Sequence, residues 1–212
     1  MIKVNLLVSR RGDLSRTQFR DYYETRHGPL TIANKAGLSF ERYVRNHVVE
    51  AQGEGLDFDC ISEFWYADEQ AIANAQHFMH GPDGEPLRVD EVNFIDTSLI
   101  RYFASAEEIV AGPTRGTERP GSRKTIVLLR APDAREGFDT LMATRARAIA
   151  DADGAGVERV SIDLSPGDAG STAFDTMLTV WHAPGAAPPY LAEASSWPGF
   201  RLMLVVEPSE TR

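Results

Sequence analysis

Cysteine is almost missing from this 212-residue chain, with Cys60 the single example. No disulfide can form within the chain and no cysteine-rich metal site exists, so a reducing compartment fits best. Long apolar runs are missing as well. The opening stretch from Met1 to Val8 is apolar but meets Arg10 and Arg11 too soon for a signal core or a membrane span, and it reads as a strand. The expectation is a soluble, cytoplasmic protein with no membrane partner. Basic residues are the minority, 22 against 31 acidic ones, for a net charge of −9. Such a balance repels phosphate backbones and argues against a nucleic-acid partner. A Gly-rich phosphate loop, a G-x-S-x-G elbow and a dinucleotide fingerprint are all lacking. What is present is ordinary for a soluble globular chain, 42% hydrophobic and 25% charged residues.

The chain repeats itself. Phe58-Asp59 to Trp65-Tyr66-Ala67 aligns with Phe174-Asp175 to Trp181-His182-Ala183, and Glu41-Arg42 with Glu158-Arg159. Phe19 meets Phe138, Thr25-Arg26 meets Thr144-Arg145, and Leu6-Leu7 meets Leu128-Leu129. The offset shrinks toward the C-terminus, as trimmed loops between kept elements would make it. This ordered series points to a tandem duplication.

Each half reads as β-α-β-β-α-β. In the first, Ile2–Val8 is a strand, and Ser15 with Gln18 forms a capping box before a helix. Gly28-Pro29 predicts a kink or a break in that helix. Arg42–Val49 and Phe58–Tyr66 are strands, Asp68 caps a helix over 69–79, residues 80–92 read as a loop, and Ser98–Ala104 is the fourth strand. The second half repeats the order from Thr125 to Val206. The division is residues 1–111, a linker over 112–121, and residues 122–212. The predicted fold is α+β: tandem ferredoxin-like modules packed sheet on sheet as an intramolecular α/β barrel, a pseudo-dimer within one chain, with a further homodimer open.

The run Phe19-Arg20-Asp21-Tyr22-Tyr23-Glu24-Thr25-Arg26-His27-Gly28-Pro29-Leu30, followed by Tyr43-Val44-Arg45-Asn46-His47 and Phe58-Asp59 to Trp65-Tyr66, resembles the EthD family of the dimeric α+β-barrel superfamily. The second half is similar to a degenerate copy. The resemblance implies the fold and a pocket between sheet and helices. It implies function only as a range: decarboxylase-like members in polyketide pathways, and cyclisation, isomerisation, monooxygenation and haem chemistry among wider relatives.

The residues that can carry chemistry lie in the first half. His27 sits at the helix interruption and suits general acid–base work near neutral pH. His47 lies mid-strand on one face with Tyr43 and Arg45. Glu63 can orient it if the hairpin register places the two on one side of the sheet. Tyr22 and Tyr23 can hold a substrate oxygen, Asn46 faces the opposite side of its strand from His47, and Trp65 is a core or pocket wall. A structural histidine or a plain polar network is the competing reading for His27 and His47. The repeat weighs against it, because His27, His47, Tyr22, Tyr23 and Glu63 become Ala146, Leu164, Leu141, Met142 and Thr179 in the second half, whereas Phe19, Asp59 and Trp65 recur. His27, His47 and Glu63 are the one possible metal set, and either histidine stays open as a haem ligand. No cofactor is expected. The reading is a cofactor-independent enzyme of lyase, cyclase or isomerase type acting on a small hydrophobic oxygenated substrate. The alternatives are a non-catalytic binding protein and a monooxygenase or haem-dependent oxidoreductase.

Overall fold

A computed structural model describes residues 1–114, 121, 123–131, 137–152, 156–165, 174–186 and 189–210. Most of the predicted linker over 112–121 lies outside the described residues. The chain divides into two compact units. Residues 1–47, 57–104 and 209–212 form the first, and residues 48–56 and 105–208 the second.

In the first unit β1 (Ile2–Val8) is followed by α1 (Arg16–Tyr22), a π-helical turn (Tyr23–His27), α2 (Gly28–Ala33) and α3 (Lys35–Leu38). Then come β2 (Arg42–Gly53), β3 (Cys60–Tyr66), α4 (Glu69–His80), α5 (Glu85–Glu91) and β4 (Arg101–Ala111), of which β2 after His47 and β4 after Ala104 belong to the second unit. The hydrogen-bonded order is β4-β1-β3-β2, with β3 antiparallel to both neighbours. The second unit holds β5 (Arg123–Leu129), α6 (Phe138–Asp151), β6 (Val157–Leu164), β7 (Thr176–His182) and β8 (Phe200–Glu210), in the order β8-β5-β7-β6. Each unit therefore carries the ferredoxin-like strand order.

Local chemistry explains the elements. Ser15 Oγ accepts from the Gln18 amide and the Gln18 side chain accepts from the Ser15 amide, so the predicted capping box forms. Asp68 Oδ1 accepts from the Ala71 amide and starts α4. Two expectations need correction. Residues 80–92 are not a loop, because Pro86 stands in the first turn of α5, where its missing N–H costs nothing. Of the kink or break expected at Gly28-Pro29, the break does not occur, since α1, the π turn and α2 follow one another without a gap. The Gly28 amide reaches back five residues to the Tyr23 carbonyl, and this wide turn carries the chain past Pro29 into α2.

The repeat is visible in three dimensions. Lys3 Nζ lies 5.2 Å and Arg42 Cζ 4.8 Å from the Trp65 ring, while Lys124 and Arg159 lie 5.0 and 3.7 Å from the Trp181 ring. Asp59 accepts from the Arg10 amide as Asp175 accepts from the Ala131 amide. These pairs correct the first-strand alignment by one residue, since Leu7 pairs with Ile61 as Leu128 pairs with Met177.

Candidate functional site

The site grows from the helix face of the first sheet. Cys60, Ser62, Phe64 and Tyr66 of β3 alternate toward that face, joined by Tyr43, Arg45 and His47 of β2 through the pairs Tyr43–Phe64, Arg45–Ser62 and His47–Cys60. The same register puts Asn46 opposite Ile61 and Val44 opposite Glu63, on the other face. Glu63 and His47 are thus on opposite sides of the sheet. Glu63 pairs with Lys3 at 3.1 Å, both fully buried, and Trp65 lies on that face too. The set of His27, His47 and Glu63 does not assemble, and among the described residues no cluster of three or more His, Cys, Asp or Glu side chains could hold a metal.

Glu24 takes the place Glu63 was expected to fill. Its Oε1 lies 2.6 Å from His47 Nε2, and Arg45 donates to both Glu24 oxygens at 2.8 and 2.7 Å. Ser209 Oγ donates to the same carboxylate. Burial alone would raise the Glu24 carboxyl, but Arg45, His47 and Ser209 hold it well below the usual carboxylate range. Burial lowers the His47 imidazole despite Glu24. Gly28 makes the packing possible. A methyl there would lie 3.1 Å from the Tyr23 carbonyl oxygen and 3.2 Å from Arg45 Cζ, so the guanidinium or the π turn would have to shift to admit it.

His27 has a partner of its own outside this cluster. Its Nδ1 lies 2.9 Å from Asp90 Oδ2, and Tyr22 donates to Asp90 Oδ1 at 2.8 Å. The ring packs on Phe94 and Tyr23, with centroids at 4.9 and 5.3 Å. A carboxylate only accepts, so the Asp90 contact places the neutral imidazole's proton on Nδ1 and leaves Nε2 as a lone pair. Burial lowers the His27 pKa, opposed by Asp90 and reinforced by Arg45. Near neutral pH the ring is an uncharged base.

His27 lines a cavity of about 420 Å³ between β1, β3 and β4 on one side and α2, α4 and α5 on the other. Its walls are mostly apolar, with Leu6, Phe64, Ile72, Met79 and Ile100 among them. Besides His27, the polar groups are Thr31, Glu91 and the buried Tyr66, whose phenol burial pushes up to about 12, with the exposed Gln76, His80 and Tyr102. Burial, and then the neighbouring Asp90, raise the Glu91 carboxyl to about 7. His47, Tyr22, Tyr23, Asn46, Glu63 and Trp65 do not line this cavity. Tyr22 serves Asp90. Tyr23 is sealed in a chain in which Tyr43 donates to it at 2.9 Å and Ser62 lies 2.8 Å beyond. Cys60 is fully buried, its thiol pushed up to about 12. Sequence reasoning missed Asp90, Glu91 and Glu24, the first two because their helix read as a loop.

Fold and cavity together define the first unit as a ferredoxin-like α+β module with an aspartate-held histidine at a helix–sheet pocket. Residues 11–98 match the EthD domain. The whole chain is similar in fold to a candidate monooxygenase from Fusobacterium nucleatum, with TM-score 0.57 and 9% identity over 100% of this chain and 92% of that one. It is also similar to a chlorite dismutase variant from Candidatus Nitrospira defluvii (TM-score 0.53, 10% identity, 98% and 91% covered) and to an anthrone oxidase-like protein (TM-score 0.51, 11% identity, 99% and 92% covered). At such identities the likeness is one of fold. No curated protein matches the chain.

Proposed function

We propose that the first module, residues 1–111, is a cofactor-independent acid–base catalyst for a small hydrophobic oxygenated molecule of aromatic or polyketide-like type. His27 is the base. Asp90 fixes its tautomer and stabilises the imidazolium that forms, and Tyr22 fixes Asp90. Decarboxylation, dehydration, cyclisation and isomerisation all need such a proton carrier, here beside a mostly apolar cavity. His47, with Glu24 and Arg45, positions the π turn that presents His27. The observation that carries this reading is the Asp90–His27 pair at the wall of an apolar pocket.

The test uses 2-tetralone, a bicyclic ketone whose C–H bonds beside the carbonyl exchange slowly. Deuterium uptake from D2O is followed by NMR. The protein should accelerate uptake, and His27→Ala should lower that rate by about 10²–10⁴-fold while 2-naphthol still binds. Binding of 2-naphthol with no acceleration by the unmodified protein would favour a non-catalytic binding protein. Acceleration that requires dissolved oxygen would favour the monooxygenase reading.

A further inference from the structure

We infer that Glu91 is the second proton-handling group of the cavity, a carboxylic acid that donates to a ketone or phenol oxygen while His27 draws a proton from the adjacent carbon. This rests on the acid–base reading of His27 and names the substrate class for it: a neutral, enolisable carbonyl compound, with carboxylates rejected, which keeps dehydration, cyclisation and isomerisation and sets decarboxylation aside.

The geometry comes first. Glu91 closes α5 one residue after Asp90, and both it and His27 line the same pocket. The backbone of Glu91 is occupied, its carbonyl accepting from the Phe94 and Ile95 amides. Among the described residues its carboxyl has no hydrogen-bond or ion-pair partner, unlike the carboxylates of Glu24, Asp59 and Asp90. The charged and titratable groups around it are Asp90 and Arg88 of its own helix and, lining the same pocket, His27 of the π turn, His80 of α4, Tyr66 of β3 and Tyr102 of β4. Burial and Asp90 keep the proton on this carboxyl up to about pH 7, with Arg88 opposing. A neutral imidazole and a neutral carboxylic acid then share one apolar chamber, which suits uncharged ligands. Two carboxyl or imidazole groups pushed to complementary protonation states mark an acid–base pair.

The step balances without a co-reactant. His27 Nε2 takes the proton as the C–H bond breaks. The electron pair moves to the carbonyl oxygen, which receives the Glu91 proton. The enol leaves an imidazolium and a carboxylate, and the reverse step returns both protons.

The test has two arms. In the first, 2-tetralone exchange is followed from pH 5 to 9. The rate should fall above about pH 7, and Glu91→Gln should lower the maximum by about 10–100-fold and remove that falling limb. In the second, binding of 2-naphthol is compared with binding of 2-naphthoate. The unmodified protein should lose naphthoate affinity at least tenfold between pH 6 and 8 while naphthol is unchanged, and Glu91→Gln should abolish the loss. A falling limb that survives in Glu91→Gln, or a naphthoate affinity indifferent to pH in the unmodified protein, overturns the assignment. If no exchange occurs at all, the catalytic reading of His27 fails, and the binding arm still decides whether Glu91 selects against anions.

Discussion

The two modules share a strand order but not an interior. On the helix side of the first sheet, Tyr23, Glu24, His27, Tyr43, Arg45 and His47 form a polar layer of three separate hydrogen-bonded groups: Tyr23 with Tyr43, Glu24 with Arg45 and His47, and His27 with Asp90. The equivalent positions of the second module are Met142, Ala143, Ala146, Val160, Ile162 and Leu164. There α6 packs Phe138, Met142, Ala146 and Ile149 directly on Val127, Val160, Leu178 and Val180. On the other sheet face the modules agree, each with a lysine and an arginine beside a tryptophan. The fold alone thus requires the shared tryptophan face and the buried aspartates at Asp59 and Asp175. It does not require the polar layer, because an apolar one of the same plan folds in the same chain. Buried charge is costly unless fully partnered, and the first module carries that cost where the π turn and the cavity lie.

The contrast can be broken experimentally. The largest effect is expected at His27, where alanine, the residue its counterpart Ala146 already is, should remove most of the exchange activity as described above. Next is Glu24. Its replacement by alanine leaves the fully buried Arg45 side chain without its carboxylate and should cost about 3–5 kcal/mol in denaturant unfolding. Installing the second module's residues together, Glu24→Ala with Arg45→Ile and His47→Leu, should recover most of that loss. If the triple variant is no more stable than Glu24→Ala, the polar layer is a structural necessity of the first module and the contrast means less.

Gly28→Ala should cost about 1–3 kcal/mol, since the added methyl meets Arg45 and the Tyr23 carbonyl. Its counterpart Arg147 is exposed on α6, and Arg147→Ala should stay within about 0.5 kcal/mol. A smaller effect follows from pH. Glu91 binds its proton more tightly folded than unfolded, so its contribution is fully present below about pH 4.5 and is lost as pH rises through about 7. Glu91→Gln should therefore gain on the unmodified protein by about 1–2 kcal/mol between pH 5 and 8 in urea melts, a value reduced for the partial exposure of the carboxyl. The smallest change is Tyr22→Phe, which removes one hydrogen bond to Asp90 and should slow exchange by less than about tenfold.

Much of this was legible in the residues. The duplication, the strands, the capping box and the location of His27 all came from periodicity and from matched pairs such as Trp65 and Trp181. The register of β2 on β3 was not legible, because alternation marks two faces without saying which neighbours share one, and so Glu63 stood where Glu24 belongs. Asp90 and Glu91 were hidden by Gly81-Pro82-Asp83-Gly84 and Pro86, which punctuate a loop and a helix start alike. The π turn was hidden for a related reason. A proline inside a helical pattern predicts a break, and one extra residue in the preceding turn gives the chain another way past it.

The central claim concerns one imidazole, and 15N NMR of the histidine ring reads it directly. At pH 7 His27 should show the Nδ1–H tautomer with an unprotonated Nε2, and 2-naphthol should shift Nε2 far more than Nδ1. An Nε2–H tautomer, or a His27 spectrum indifferent to a ligand that binds the first module, would contradict the account.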